Sequence, residues 1–450
     1  MEIEEIRSAF EERMITKVKV GGFDVDGILR GKYISPRKFF SALEKGFGFC
    51  DVIFGWDAAD ALYDNAEVTG WKTGYPDALA KIDRSTFRVS PYEPDTAHFL
   101  VDFYGQDGKS HPACPRSLLK RIAARAETSG YRPRFAAELE LWIFQETSET
   151  IYQKGFDDLR PLTPGMFGYS WVRSSQQAEL VHEVLDTMNA YGIEIEGFHT
   201  ETGPGVWEVA LRYDDIVAAA DQAALFKTMM KQLCQRRGLA VTFMAKWNAD
   251  LPGSSGHLHQ SLWDGEGHQN LFSDPKEAHK LSRLAKSYIA GLVHVAPELT
   301  ALYAPFVNSY KRYVPGVWAP LSASWGIENR TCAIRVINGP GADAARVEYR
   351  QTAADIHPHI AMATCLAAGL HGVESGLEPP PADQGDATNA GAPLPPTLDA
   401  AVEALRESVA AREILGEAFV DHYLRTREWE VRQYRKVVGR WELQRYFEAV

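Results

Sequence analysis

The chain has 450 residues, of which 45% are hydrophobic and 24% are charged, and this is the balance of an ordinary globular protein. Its 48 lysines and arginines against 60 aspartates and glutamates give a net charge of −12, which argues against a general nucleic-acid binder. The five cysteines form no CxxC pair, so they indicate reduced thiols in a cytoplasmic protein. The most apolar stretch, residues 360–370, is too short to span a bilayer, and we expect no membrane partner.

The first hundred residues predict a small strand-rich domain. Residues 1–13 have the pattern of an acidic amphipathic helix rather than a signal peptide, and strand-forming segments follow between residues 17 and 104. A helix predicted at 115–130 places a boundary near residues 105–112. Because a single core is unusual at this length, we predict domains at 1–108 and 109–450.

In the second domain, predicted strands alternate with long helices, which gives an α+β class. The predicted strands are 134–144, 193–198, 206–212, 240–246, 256–263, 331–337 and 345–350. The predicted helices are 174–191, 214–237, 276–296 and 352–373. Residues 378–396 form a Pro/Gly/Ala-rich loop, and residues 398–447 predict helices with Trp429 and Trp441 as packing anchors.

The segment RFAAELELWIF, residues 134–144, carries an unusual pair of charges. Successive side chains of a strand point to opposite faces, so the alternate apolar residues from Phe135 to Ile143 share one face. Glu138 and Glu140 then share the other face, roughly 7 Å apart. Like charges this close raise each other's pKa and destabilise the fold unless a cation lies between them. The strand therefore predicts a cation site.

The same alternation recurs in three further segments. Chemically active side chains share one strand face in GHLHQSLW (His257, His259, Ser261), in VWEVALRY (Glu208 and Arg212, with Glu201 upstream) and in ARVEYRQT (Arg346, Glu348, Arg350). The solvated face of an antiparallel strand would explain any one of these segments. It does not explain all four, because the opposite faces are apolar and helices flank each strand.

If these faces converge, they form a site dominated by carboxylate oxygens. The candidate metal ligands are Glu138, Glu140, Glu201, Glu208, His257 and Glu348. Oxygen-rich ligands favour Mg²⁺ or Mn²⁺ over zinc, and five carboxylates with one imidazole exceed the needs of one ion, so we expect two or more. Arginines at 312, 330, 335, 346 and 350 would bind phosphate or carboxylate groups bidentately. This combination indicates phosphoryl transfer, although neither a GxxxxGK[ST] loop nor the kinase glycine set is present.

Several long motifs resemble those of the glutamine synthetase superfamily. They are GSSGHLHQSLW (253–263), NSYKRYVPG (308–316), the pair NRT and IRV (329–336) and RVEYR (346–350), and the similarity runs from about residue 15 to the C-terminus. The resemblance implies an N-terminal β-grasp-like domain and a catalytic domain with a curved antiparallel sheet flanked by helices. It also implies ring-shaped homo-oligomers, usually dodecamers of two rings, with active sites between subunits.

The resemblance also implies roles for individual residues. Glu140, Glu201 and Glu208 match the ligands of one metal, and Glu138, His257 and Glu348 match those of another. The ATP-binding positions are Glu196, Tyr213, His259, Ser261 and Arg335; the glutamate-binding positions are Gly253, Arg312 and Arg350; Arg330 steadies the transferring phosphoryl group. The implied chemistry is phosphorylation of the γ-carboxylate of glutamate by ATP, followed by displacement of phosphate by an amine.

Two departures from the family pattern fall on the amine side. Trp318, in YVPGVWAP, stands where the family has a glutamate that binds ammonium and takes its proton. An indole is no base, but it packs against an alkyl group and attracts an ammonium by about 0.5–2 kcal/mol. Loop packing is the other explanation for this tryptophan. In GFGFCDVIFGWDAAD, residues 46–60, Asp51 and Asp57 are candidates for the aspartate that reaches the neighbouring subunit's site, with Trp56 as added aromatic surface.

These features predict an ATP-dependent ligase most like the γ-glutamyl-amide (alkylamine or polyamine) branch, since the metal ligands and arginines are retained and the acceptor side is changed. The predicted acceptor is a small primary alkylamine such as methylamine, ethanolamine or isopropylamine. Polyamines are an alternative because Asp51, Asp57, Asp60 and Asp64 supply acidic groups. Ammonium, a non-catalytic superfamily member and a guanidino kinase are further alternatives.

Overall fold

Two hydrophobic cores divide the chain in the computed structural model, which describes all residues, 1–450. The smaller core contains 19 buried residues between Ile6 and Cys114, and the larger contains 78. The larger core also includes Phe23 and Leu100 of the first hundred residues. The predicted boundary at 105–112 falls between the last strand of the first sheet and the first helix of the second part.

The first part is a six-stranded mixed sheet covered by two helices. Its elements are α1 (Ile3–Glu12), β1 (Lys17–Phe23), β2 (Leu29–Ile34), α2 (Pro36–Lys45), β3 (Phe47–Cys50), β4 (Asp77–Ile82), β5 (Arg88–Ser90) and β6 (Glu93–Tyr104). The strand order is β2-β1-β6-β4-β3, with β5 beside β6; β1 and β6 are parallel and the other pairs antiparallel. The ring of Phe10 in α1 stacks on that of Phe39 in α2, whose centroid lies 4.6 Å from that of Phe99 in the sheet, so these rings join both helices to the sheet.

The second part contains a nine-stranded sheet. The strands of this part are β7 (Tyr131–Phe144), β8 (Ile195–Thr200), β9 (Val206–Leu211), β10 (Asp214–Asp215), β11 (Ala240–Thr242), β12 (Leu258–Asp264), β13 (Ser322–Ala323), β14 (Trp325–Ile327), β15 (Ile334–Ile337), β16 (Arg346–Tyr349) and β17 (Ala392–Pro393). Of these, β13 and β17 form a separate two-stranded ribbon, and the other nine form the sheet. The order is β14-β15-β16-β12-β7-β9-β8, and β10 and β11 pair with the two ends of β7. All of its pairs are antiparallel except β14 with β15.

Twelve helices complete this part. They are α3 (Pro115–Thr128), α4 (Ser148–Gln153), α5 (Trp171–Gln176), α6 (Ala178–Ala190), α7 (Ile216–Arg236), α8 (Arg283–Val295), α9 (Thr300–Tyr303), α10 (Pro358–Glu374), α11 (Leu398–Glu407), α12 (Val409–Leu415), α13 (Glu417–Tyr434) and α14 (Arg440–Tyr446). α3 and α7 pack on β7, and α10 packs against α3, α7 and α8. This burial explains the apolar run at 360–370. None of the helices is both long enough and apolar enough to cross a membrane.

The α+β class is confirmed, but several predicted elements have different limits. The helix predicted at 276–296 begins only at Arg283, where Ser282 Oγ accepts a hydrogen bond from the amide of Ala285. Positive φ angles at His279 and Lys280 prevent an earlier start. The helix predicted at 174–191 is divided into α5 and α6, and the strand predicted at 240–246 ends at residue 242.

The two tryptophans predicted as packing anchors differ in their environments. Trp441 is 62% exposed, so its prediction as an anchor is wrong: α14 buries none of its residues. Trp429 is half-buried, and its Nε1 donates to Asp57 Oδ2 at 2.8 Å. This bond ties α13 to a loop of the first part.

Arg116, at the start of α3, connects both parts of the chain through three carboxylates. Its guanidinium lies 2.9 and 2.8 Å from the two oxygens of Asp221 in α7, 2.7 Å from Asp102 in β6 and 2.9 Å from Asp83. Arg116 is only 2% exposed. Although burial opposes ionisation, the charge of Arg116 holds the pKa of Asp221 well below its usual range. The first sheet is thereby fixed to α7.

We expect Arg116→Met to lower the free energy of unfolding by about 3–5 kcal/mol, because buried carboxylates lose their counter-charge while methionine keeps much of the packing. Urea denaturation followed by circular dichroism measures this change.

The matched control is Arg435→Met. Arg435 pairs with Asp399, but both side chains are about half exposed or more, so the expected change is below about 1 kcal/mol. Equal effects of the two substitutions would contradict the role of the buried arginine.

Candidate active site

The central strand β7 carries the predicted pair of glutamates. The side chains of Phe135, Ala137, Leu139, Leu141 and Ile143 are at most 2% exposed, as the alternation predicts. Glu138 and Glu140 lie half-buried on the opposite face. The sheet thus separates an apolar face, covered by α3 and α7, from a face that carries charge.

Strand register brings a first acidic group together. Glu140 in β7 pairs with Glu208 in β9, and Glu208 pairs with His199 in β8. His199 Nε2 lies 3.2 Å from Glu201 Oε1 and 4.0 Å from Glu208 Oε2. Burial and the charge of Glu208 raise the pKa of Glu140 to about 8. We call these four residues the first acidic group.

His199 was not predicted as a site residue. Its place depends on the pairing of β8 with β9, and the sequence predicts strands but not which residues face each other. The available signal was HTET itself, where alternation puts His199 on the same face as Glu201. The ring of Tyr169 stacks on His199 with centroids 4.2 Å apart, which fixes the imidazole plane.

A second acidic group lies on the same face of the sheet, toward the neighbouring strands β12 and β16. His257 Nδ1 is 3.5 Å from Glu138 Oε2 and 3.2 Å from Glu348 Oε1. His259 Nε2 is 3.1 Å from Glu138 Oε1. One ligand atom each from Glu138, His259 and Glu348 lies within 4.8 Å of the others. We call these four residues the second acidic group; it includes His259, for which the sequence predicts a nucleotide contact.

The donor atoms of both groups fit a hard divalent ion such as Mg²⁺ or Mn²⁺, because carboxylate oxygens predominate. His257 is 8% exposed, and its Nε2 is buried without a hydrogen-bond partner. Burial raises the pKa of Glu138, but the charges and hydrogen bonds of His259 and His257 outweigh it and hold that pKa well below its usual range. The carboxylate is therefore ionised and able to ligate a cation.

Two of the predicted arginines, Arg335 and Arg350, contact the second acidic group. Arg350 Nη1 lies 2.5 Å from Glu348 Oε1, and Arg335 Nη1 lies 3.1 Å from Glu348 Oε2. Arg350 Nε also donates to the main-chain carbonyl of Arg330, at 3.2 Å. The side chain of Arg330 itself is exposed. These guanidinium groups concentrate positive charge beside the carboxylates.

A first cleft borders the second acidic group. Four of the five residues predicted to bind ATP line it, namely Glu196, Tyr213, His259 and Ser261. The fifth, Arg335, lies outside its lining and bonds to Glu328 and Glu348. Arg134 and Arg346 add cationic groups to the walls. Glu138 is the one carboxylate of the second acidic group that lines this cleft.

A second cleft borders the first acidic group. It is lined by Glu140, Glu201, Gly253, Ser255, Arg312, Val317 and Trp318, among others. The structure thus brings together two predicted metal ligands, two of the three predicted glutamate-binding residues and the tryptophan predicted at the amine pocket. Trp318 is 71% exposed at the rim.

Hydrogen bonds hold Arg312 in the second cleft. Arg312 is 3% exposed, and it donates to the carbonyl of Gln351 at 2.8 Å and to Ser255 Oγ at 3.2 Å. The amide of Ser255 donates in turn to Glu140 Oε2 at 2.7 Å. A Cβ on Gly253 would lie 2.7 Å from Arg312 Cβ and 2.8 Å from the carbonyl of Ala245, so no larger residue fits there. Glycine is therefore required for the close approach of Arg312.

Asp51, Asp57 and Trp56 line neither cleft. Asp51 is 3% exposed and accepts a hydrogen bond from Thr69 Oγ1 at 2.6 Å. Asp57 accepts from the indole of Trp429, and Trp56 carries the guanidinium of Arg30 at 4.9 Å from its ring. Within one chain these residues organise the loop after β3, and their function in a neighbouring subunit's site stays a prediction.

Comparison with known proteins identifies similar sequences and a similar fold. Residues 112–446 match the family model described as glutamine synthetase, catalytic domain. A solved structure of GmaS, in its apo form without ligand, has a TM-score of 0.85 at 26% identity and covers 98% of this chain and 99% of that chain.

Three curated relatives span nearly the whole chain. Type-1 glutamine synthetase 2 of Dictyostelium discoideum is 44% identical over 96% of this chain and 84% of its own length. The glutamate–isopropylamine ligase of a Pseudomonas species is 36% identical over 100% and 98%, respectively. The gamma-glutamylethanolamide synthetase of Streptomyces coelicolor is 34% identical over 100% and 96%.

We expect Glu208→Gln to weaken the binding of Mn²⁺ at least about tenfold, since it removes the central charge of the first acidic group while keeping its shape. Calorimetric titration of the metal-free enzyme with Mn²⁺ measures the change. The control is Glu194→Gln, whose exposed carboxylate pairs with Arg212 outside the group. An unchanged affinity in Glu208→Gln would contradict a metal site at this position.

Proposed function

Because the chain belongs to the glutamine synthetase family, we propose that it joins the γ-carboxylate of glutamate to a small primary alkylamine through a γ-glutamyl phosphate. The family and the enzyme class, an ATP-dependent glutamate–amine ligase, are those predicted from the sequence. Two relatives are named for amide formation with isopropylamine and with ethanolamine. What the proposal adds is the amine and the residue assignment.

The two acidic groups support the binding of two or more Mg²⁺ or Mn²⁺ ions beside the clefts. In this assignment Glu140, Glu201 and Glu208 hold one ion, with Glu138, His257 and Glu348 at the other. When bound, the ions neutralise charge that would otherwise keep the glutamate carboxylate and ATP apart. His199 and His259 orient the carboxylates, since each imidazole lies within 3.2 Å of one of them.

The arginines support positions for the two anionic substrates. Arg312, with Gly253, binds glutamate in the second cleft, where its guanidinium is already oriented by Gln351 and Ser255. Arg350 lies between the second acidic group and the turn that carries Arg330. From that turn the exposed Arg330 side chain reaches the transferring phosphoryl group, and the first cleft holds the nucleotide. Fixed positive charges of this kind stabilise phosphoryl transfer without reorganising in the transition state.

The amine assignment depends on one observation, the position of Trp318 and Val317 at the rim of the second cleft beside Glu140 and Glu201. An alkyl group packs on this apolar rim, while the carboxylates attract the ammonium form of the amine. A long polyamine would need an open acidic channel. Asp51 and Asp57 instead bond within their own chain, which favours small amines.

Ammonium is the second candidate acceptor. The relative that is 44% identical carries the name of a glutamine synthetase, and this observation supports ammonium as the alternative to a small alkylamine. A non-catalytic protein would gain nothing from two oriented acidic groups, and a guanidino kinase would not need a glutamate-binding pocket.

We further propose a cytoplasmic homo-oligomer, a dodecamer of two rings with sites between subunits and with no nucleic-acid or membrane partner. Large exposed side chains support an assembly, including Phe167, Trp171 and Phe447, which are 50%, 86% and 81% exposed. Sedimentation velocity measures the mass, and a monomer at micromolar concentration would contradict the proposal.

With ATP and glutamate present, we expect kcat/KM for isopropylamine, ethanolamine or methylamine to exceed that for ammonium at least about tenfold, which corresponds to about 1.4 kcal/mol of selective binding. ADP release gives the rates, and mass spectrometry of the γ-glutamyl amides identifies the products. Ammonium as the best acceptor would contradict the amine assignment while leaving the ligase chemistry intact.

We expect Trp318→Glu to move the preference between alkylamine and ammonium about 2- to 30-fold toward ammonium, because it removes an interaction of about 0.5–2 kcal/mol with the alkylammonium and supplies a carboxylate. Competition between the two acceptors in one reaction measures the ratio directly. The control is Trp441→Glu, which changes an exposed tryptophan outside both clefts. Unchanged selectivity in Trp318→Glu would place the indole outside the acceptor pocket.

A further inference from the structure

A cavity lies between the first sheet and α7, and it shares no lining residue with either cleft. Its volume is about 230 Å³, several times the roughly 30 Å³ that one water molecule occupies in the liquid. Much of its wall is apolar and comes from both parts of the chain: Val20, Leu29 and Leu100 from the sheet and Leu225 and Met229 from α7. The cavity is therefore large enough for a small organic molecule with an apolar body.

Arg88, in this wall, has no carboxylate partner. Its only hydrogen bond is from Nη1 to the carbonyl of Thr86 at 3.3 Å, and its Nε is buried without an acceptor. Arg116, by contrast, bonds to three carboxylates. Arg88 is half-buried, and no carboxylate of the chain neutralises its guanidinium.

His98 offers a second donor beside it. His98 Nδ1 lies 2.9 Å from the hydroxyl of Tyr191, which also lines the cavity. With that hydroxyl as donor, the imidazole proton lies on Nε2, which is buried and has no acceptor. Burial lowers the pKa of His98 to about 4, so the ring is neutral near pH 7. The ring therefore adds a neutral N–H group next to the charge of Arg88.

The cavity contains cations but no acids. Lys19, Lys32 and Arg88 are among its lining residues, whereas no aspartate or glutamate is. Lys19 is paired with Glu93 outside the lining, at 2.6 Å. Gly21 and Gly31 face each other across β1 and β2, so the sheet offers two positions without side chains beside Leu29. An apolar pocket with unpaired donors at one side fits a molecule with one anionic end.

We propose that this cavity binds a small carboxylate with an apolar body, whose carboxylate oxygens accept hydrogen bonds from the guanidinium of Arg88, beside the ring of His98. The apolar body packs between Leu100 of the sheet and Met229 of α7. A ligand held in this way contacts both parts of one chain. The site is separate from glutamate binding, since it shares no residue with the second cleft.

Calorimetric titration of the full-length enzyme, in its native assembly and with saturating glutamate, with 3-phenylpropionate tests this site. We expect saturable binding whose Kd rises at least about tenfold in Arg88→Met and when 3-phenylpropanamide, which has no charge, replaces the acid. The matched control is Arg84→Met, because Arg84 lies four residues earlier and contacts only exposed Glu2. Its Kd should stay within about twofold of that of the unmodified enzyme.

Thr228→Phe gives an independent test, since it fills the cavity from α7 without altering a charge. We expect it to abolish binding of 3-phenylpropionate while the melting temperature and the ligase rate with saturating substrates stay unchanged. Absence of saturable binding to the unmodified enzyme would overturn the proposal. Equal binding by Arg88→Met, or displacement of the acid by glutamate, would also overturn it.

Discussion

Repulsion among carboxylates on one face of the central sheet is the constraint on which this structure depends. Glu138, Glu140, Glu208 and Glu348 come from three strands, and the pleat directs them to the same side because the other side is filled by the core. Such an arrangement is stable only with opposite charge nearby. Imidazoles and arginines supply part of it, but burial, together with the charge of Glu208, still raises the pKa of Glu140 to about 8. A divalent cation would supply the rest of the positive charge that these carboxylates need.

The same constraint explains the helices behind the sheet. The face of β7 opposite its two glutamates is apolar and must be kept from water. α3 and α7 cover it for this reason. α10 then fills the layer beneath and is buried over nearly its whole length. Arg116 connects this layer to the first sheet through ionic bonds that only a buried guanidinium can make with three carboxylates at once.

Alternation along a strand was the part of the site that could be predicted without coordinates. It placed Glu138 and Glu140 opposite the apolar residues of β7, and it placed His257 and His259 on one face of β12. The long motifs then indicated the family, and its fold agrees with the solved structure of GmaS. His199 was missed because its position depends on which residue of β9 faces it. Residues 276–282 were predicted as helix because their composition suits one, while left-handed backbone at His279 and Lys280 rules it out. Trp441 was predicted as a packing anchor, but it is exposed because no other element covers it.

The turn that carries Arg330 has its main chain anchored and its side chain free. Arg350 bonds to the carbonyl of residue 330, and the parallel pairing of β14 with β15 fixes the strands on both sides of the turn. The Arg330 side chain is therefore exposed while its main chain is held in place, whereas the side chains of Arg312 and Arg350 are buried. In the proposed site, the buried Arg312 and Arg350 bind glutamate, and the exposed Arg330 side chain contacts the transferring phosphoryl group. Replacement of the Arg330 side chain therefore leaves the positions of Arg312 and Arg350 unchanged.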